Sequence, residues 1–195
     1  MSCSAIIGLG NPGTQYVQTR HNLGFWLLDQ FADEQKVVFQ EKSKFSAEIT
    51  KFSYAEKSFM LVKPLTFMNE SGKFLKTLLL KNNCEVSSTI LIHDELTLPV
   101  GRMKISKNNG DGGHNGVRSV FLNIGSNFTR LRLGIGQKKN PVMDLADHVL
   151  SKFTSDEIQL LEQRKENFLN ALKSLMSEGV DRAMNKFNQT SPNTI

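Results

Sequence analysis

The sequence predicts an α/β protein: a single three-layer αβα domain built around a central, twisted, mixed sheet that is largely buried. Three observations carry this expectation. Short apolar runs of strand length alternate with segments whose apolar residues recur at helical spacing. Polar and glycine-rich clusters sit at the junctions between the two kinds of segment, as they do where strands hand over to helices. At 195 residues, with 39% hydrophobic and 22% charged side chains, the chain has the composition of one globular domain with a substantial core.

Taken in order, residues 4–9 are short, apolar and followed by turn residues, so they read as a buried strand. Leu27, Leu28 and Phe31 share a helical face, which predicts a helix over about 22–35. Residues 44–52 alternate Phe45, Ala47 and Ile49 against Ser46, Glu48 and Thr50, the pattern of a half-buried strand. Residues 59–62 form the next strand, stopped by Pro64, and Leu75, Leu78 and Leu79 mark a helix over about 70–81. Residues 89–93, 100–106 and 128–135 are further strands, and Val117, Val120, Phe121 and Ile124 define a helix between the last two. The final third is helical: Thr154 and Glu157 form a capping-box pattern, and Ile158, Leu161, Phe168, Leu172 and Leu175 continue the stripe. Gly179 ends it, and a short amphipathic helix follows through Val180, Ala183, Met184 and Phe187. The domain is therefore expected over 1–187, with a polar tail at 188–195.

Several classes are excluded or disfavoured. No run approaches the roughly 18 apolar residues of a membrane span, and the apolar start is too short and too poorly flanked for a signal peptide. Cys3 and Cys84 are the only cysteines and lack ligand-like spacing, which fits a reducing cytosol rather than a disulfide scaffold or a zinc site. Charge is unevenly spread. Between Arg102 and Lys139 eight Lys/Arg meet one acid, Asp111, a net +7 that leaves the remainder at −2 against a whole-chain +5. Solvated faces usually mix both signs, so this stretch points to an anionic partner such as nucleic acid.

The chemistry-bearing residues fall at the junctions. The run from Gly8 through Gly10 to Gly13 matches G-x-G-x-x-G formally, but the fingerprint requires a helix immediately after the glycines. Here Pro12 occupies the turn, the helical pattern begins only near Asn22, and the acids Asp33 and Glu34 lie in or just past a helix, so no nicotinamide cofactor is expected. His21 opens the first helix, where the dipole disfavours imidazolium, while a nearby Asp would favour it. Asp94, at the end of a strand, is the candidate partner; alone it reads equally well as a turn or capping residue. A carboxylate that accepts from one ring nitrogen fixes the tautomer and frees the other nitrogen to take a proton from water. Water is the expected nucleophile, because no G-x-S-x-G elbow is present and neither cysteine has a reactive context. His21, His93, His114 and His148 show neither H-x-H nor H-E-x-x-H, so no metal is expected. Asn11, Asn69 and Asn115 sit at connections or helix starts. Singly each reads as a helix cap, but together near one rim they read as donors and acceptors for a peptide backbone.

Five motifs resemble the bacterial peptidyl-tRNA hydrolase family in order and spacing: G-L-G-N-P-G-x-x-Y-x-x-T-R-H-N-x-G (8–24), T-F-M-N-x-S-G (66–72), H-D-E-L-x-L-P-x-G (93–101), G-G-H-N-G (112–116) and F-x-R-L-R-x-G-I-G (128–136). The likeness covers roughly 4–187. It implies hydrolysis of the ester that joins peptide to tRNA, with His21 as general base and Asp94 as its orienting carboxylate. It implies that Asn11 separates blocked from free aminoacyl-tRNA, and that Asn69 and Asn115 hold the peptide and the ester-bearing end. Tyr16, Phe67 and Met68 would line the groove against the terminal adenosine, and Lys104 and Arg132 would contact tRNA phosphates. A cytoplasmic monomer without cofactor or membrane contact is the implied setting. The sequence departs from the family's pattern where relatives are richer in glycine, at Lys107, Asn108, Asn109, Gly110 and Asp111, and a basic position of relatives falls on Ser106. Residues 141–153 resemble the family's lid over the site. Since relatives that bind RNA without hydrolysis exist, a non-catalytic RNA-binding protein of the same fold is the alternative.

Overall fold

A computed structural model describes residues 3–107, 110–138 and 142–189. The strands are β1 (Cys3–Gly8), β2 (Gln40–Lys42), β3 (Ala47–Tyr54), β4 (Lys57–Pro64), β5 (Ile90–Glu95), β6 (Met103–Lys107) and β7 (Thr129–Gly134). They form one mixed sheet in the order β2-β3-β4-β1-β5-β7-β6. The inner four, β4, β1, β5 and β7, run parallel, while β2, β3 and β6 pair antiparallel at the two flanks.

The helices explain why the central strands are apolar on both faces. α1 (Leu23–Gln35) and α5 (Ser155–Ser177) cover one side, where Ile6, Ile92 and Leu131 meet Leu28, Phe31 and Phe168. α2 (Leu75–Lys81) and α3 (Asn115–Ile124) cover the other, where Ile7, Leu9 and Leu91 meet Leu78, Val117 and Val120. A strand buried on both faces shows a continuous apolar run and no alternation, which is how residues 4–9 read. α4 (Leu145–Leu150) is short, and α6 (Val180–Phe187) packs on α5 and β6. Among the described residues no helix is long and apolar enough to cross a membrane.

The fold class and most elements agree with the sequence reading, and the differences have local causes. β2 is three exposed polar residues with no alternation to see; it exists because it pairs with β3. The strand expected over 44–52 begins only at Ala47, since Ser46 takes a left-handed conformation (φ 43°) after the 3-10 turn Ser43–Phe45. Pro64 ends β4 from within, opposite Ala47, a strand-end position where its missing N–H is tolerated. The helix expected over 70–81 starts at Leu75, because Gly72 is pressed against Ser119 and donates its N–H to Ser119 Oγ at 3.0 Å. α4 lies inside the expected lid, of which Pro141 is outside the described residues. The capping box forms with both arms, Glu157 N–H to Thr154 Oγ1 at 3.3 Å and Thr154 N–H to Glu157 Oε2 at 2.8 Å. Asn188, at the start of the polar tail, bonds both backbone groups of Ile105, while 190–195 lie outside the described residues.

One contact sets the position of α1. Gly24 packs so closely that a Cβ there would lie 2.5 Å from Ile92 O and 2.6 Å from Leu9 O, both backbone atoms that cannot step aside. Gly24→Ala is expected to destabilise the fold by about 3 kcal/mol through overpacking, lowering Tm by roughly 6–12 °C in a thermal melt. A melt within a degree or two of the parent would show that the helix is free to shift.

Candidate active site

The carboxyl ends of β1 and β5 and the N-terminus of α3 meet on one rim, the place where open α/β sheets take ligands. His21 sits there on the 3-10 turn Arg20–Asn22, and its neighbours leave that turn little freedom. Asn22 bonds the β1 loop in both directions: its Oδ1 accepts from Asn11 N (2.9 Å) and its Nδ2 donates to Asn11 O (2.9 Å). Buried Arg20 donates to Ser151 Oγ (3.1 Å), Ile135 O (3.1 Å) and Glu157 Oε2 (2.6 Å), and lies over the Phe153 ring. The G-x-G-x-x-G run meets no helix N-terminus, since the helical turns begin at Arg20.

Asp94 and His21 are brought together. His21 Nδ1 is 2.9 Å from Asp94 Oδ1, and His114 Nε2 is 2.8 Å from the same oxygen. Asp94 is 2% exposed. Burial alone would raise its pKa, but the attraction of the His21 and His114 imidazoles and the hydrogen bonds they donate outweigh that and hold the carboxyl well below the usual range. An ionised Asp94 can only accept, so His21 Nδ1 carries the proton and Nε2 is the basic nitrogen. His93 stands edge-on to His114; burial, then His114 and Arg130, push its pKa down to about 3, so it is neutral. One ligand atom each of His21, Asp94 and His114 lies within 4.8 Å of the others, a donor set a borderline transition ion accepts. In this structure N–H···O bonds fill that space.

A cleft of about 480 Å³ opens over this cluster and is lined by Asn11, His21, Phe67, Met68, Asn69, Asp94 and Asn115, with the α4 residues Leu145, Ala146, Val149 and Leu150 as an apolar wall. Asn11 Oδ1 accepts from Met68 N (2.8 Å), which ties the β1 loop to the turn bearing Asn69. Asn69 and Asn115 are exposed at the rim. Phe67 is 58% exposed and meets Tyr16 edge-on at 6.5 Å. A second cavity of about 510 Å³ is lined by Arg20, His148 and Glu157, but those polar groups are already bonded within the protein.

The expected phosphate contacts lie apart from this cleft. Lys104 and Arg132 are cross-strand neighbours on β6 and β7, and Arg132 in turn lies opposite His93 on β5. Lys104 is exposed and without a hydrogen bond or ion pair among the described residues. Arg132 is half-buried, with Nε (2.9 Å) and a terminal nitrogen (2.8 Å) on Glu95 Oε2. Ser106 is buried with an unpartnered hydroxyl, Lys107 pairs with Asp181 at 3.8 Å, and Asn108 and Asn109 lie outside the described residues.

Sequence reasoning did not single out His114, Asn22 or Arg20. All three stand inside motifs it used, but the bond partners that give them their place are far away in the chain or hidden in a helix cap.

The family model for peptidyl-tRNA hydrolase matches residues 5–194. The chain is 40% identical to the peptidyl-tRNA hydrolase of Thermodesulfovibrio yellowstonii over 94% of its own length and 98% of that protein. It is 41% identical to that of Dichelobacter nodosus over 92% and 95%. The crystal structure of peptidyl-tRNA hydrolase from Acinetobacter baumannii superposes with a TM-score of 0.90 at 35% identity, covering 98% of this chain and 97% of that one. A sequence match along nearly the whole chain and a shared backbone give one answer: the chain belongs to the peptidyl-tRNA hydrolase family.

Proposed function

We propose that this protein hydrolyses the ester between a peptide, or an N-blocked amino acid, and tRNA, with His21 as general base and water as nucleophile. The observation that carries the reading is the 2.9 Å bond between His21 Nδ1 and a buried, ionised Asp94 at the floor of a cleft. With Nδ1–H donated to Asp94, Nε2 takes a proton from water. The hydroxide so formed adds to the ester carbonyl carbon. The tetrahedral intermediate then expels the ribose oxygen, which recovers the proton from the imidazolium, leaving free tRNA and a peptide carboxylic acid that gives its proton to solvent.

The asparagines suit the rest of the task. Asn69 and Asn115 present amides at the rim that can donate to a developing oxyanion or to peptide carbonyls without imposing charge. Asn11 spends its Oδ1 on Met68 N, which leaves Nδ2 to meet the blocked amino end of a substrate. Phe67 and Tyr16 offer aromatic faces to an unpaired terminal base. Lys104 and Arg132, neighbours across β6 and β7, offer cations outside the cleft for tRNA phosphates. The family resemblance implies a cytoplasmic monomer acting in the rescue of stalled tRNA.

Turnover of N-acetyl-aminoacyl-tRNA is the direct test, and binding without cleavage would select the RNA-binding alternative. His21→Ala is expected to lower kcat about 10²–10⁴-fold, the usual contribution of a general base, with KM little changed. Full activity in that variant would remove His21 from the role. Lys104→Ala is expected to weaken tRNA binding and flatten the slope of log Kd against log salt by about 0.7–0.9, one phosphate contact. Arg132→Ala should flatten it less, because Glu95 already neutralises part of that guanidinium. Unchanged slopes in both variants would place the RNA surface elsewhere.

A further inference from the structure

The reading above gives roles to His21 and Asp94 and leaves the second imidazole on the same carboxylate unused. We propose that His114 is a positioning residue for the reaction: a neutral ring locked as an Nε2–H donor, which shares Asp94 Oδ1 with His21 and fixes where that oxygen sits. The proposal rests on the hydrolytic reading.

The hydrogen-bond geometry assigns the proton. His114 is the N-cap of α3, and its Nδ1 lies 3.1 Å from Gly116 N and 3.3 Å from Val117 N. Backbone N–H groups can only donate, so Nδ1 must present a lone pair and the single ring proton belongs on Nε2. Nε2 in turn faces an acceptor, Asp94 Oδ1, at 2.8 Å. Both ends of the ring require the same tautomer. The reverse arrangement would set N–H against two N–H groups and a lone pair against a carboxylate.

His21 differs in the respect that matters. Its Nδ1 is bonded to Asp94, but its Nε2 has no hydrogen-bond partner among the described residues. One imidazole is therefore held at both nitrogens and the other at one. Because both rings donate to a single oxygen, Asp94 cannot rotate toward or away from His21 without stretching its bond to His114. The His93 ring, edge-on to His114 at 4.9 Å between centroids, backs the arrangement from inside the sheet. His114 thus acts through Asp94 on the orientation of the base.

The decisive variant is His114→Asn. Asparagine is a strong N-cap and keeps the start of α3, but it is too short to reach Asp94, so capping and donation are separated. With N-acetyl-aminoacyl-tRNA as substrate, kcat is expected to fall about 10–100-fold, the loss of one hydrogen bond to a buried charge, with KM within about twofold and Tm lower by several degrees, since Asp94 loses a partner while the cap is kept. On an Asp94→Asn background the same change should alter kcat by less than about twofold, since the carboxylate it serves is gone. Unchanged kcat in His114→Asn, or losses that multiply in the double variant, would overturn the proposal. Long-range 1H–15N spectra of the unmutated protein provide an arm without turnover. They should show His114 protonated at Nε2 and bare at Nδ1, and a proton on Nδ1 would also overturn it. No turnover by the unmutated protein defeats the hydrolytic reading and this one with it, whereas turnover unaffected by His114→Asn defeats only this one.

Discussion

A carboxylate that is 2% exposed remains an anion only if the protein answers its charge, and the architecture of this rim follows from answering Asp94. Two imidazole N–H groups do so at 2.9 and 2.8 Å, one from the turn before α1 and one from the cap of α3. The two helices lie on opposite faces of the sheet, so the charged oxygen stitches the layers together at the end of β5. Removing either donor would leave a buried charge short of partners, a costlier state than never having built the pair.

Everything nearby limits how far those donors can move. Arg20 has all its nitrogens engaged by Ser151, Ile135 and Glu157, so the residue before His21 is anchored to α5 and to the segment following α4. Asn22, the residue after it, is bonded twice to the β1 loop. Gly24 then lets α1 touch the backbone of β1 and β5, bringing His21 within reach of a strand-end carboxylate. Precision at the site comes from the scaffold, and the asparagines at the rim stay available to a ligand.

The legibility of the fold varied with the source of each element. The doubly buried strands and the α5 capping box announce themselves locally, because continuous apolar runs and S/T-x-x-E patterns are properties of neighbouring residues. β2 and the late start of α2 were not legible. The first depends on pairing with β3, and the second on the packing of Gly72 against Ser119. Arg132 could be read as a free cation, but its guanidinium is held by Glu95, a pairing set by strand register.

The sequence by itself determined the layered α/β class, the family resemblance and the identity of His21, Asp94 and the three asparagines as candidates for one rim, since each is encoded in periodicity or in motif spacing. Only the tertiary structure decided that His21 and His114 donate to one oxygen, that Asn11 holds Met68, and that Arg20 anchors the turn. Hydrogen bonds join atoms a few ångströms apart in space, and residues 21, 94 and 114 become neighbours only when β5 and two helices from opposite faces of the sheet end at the same place.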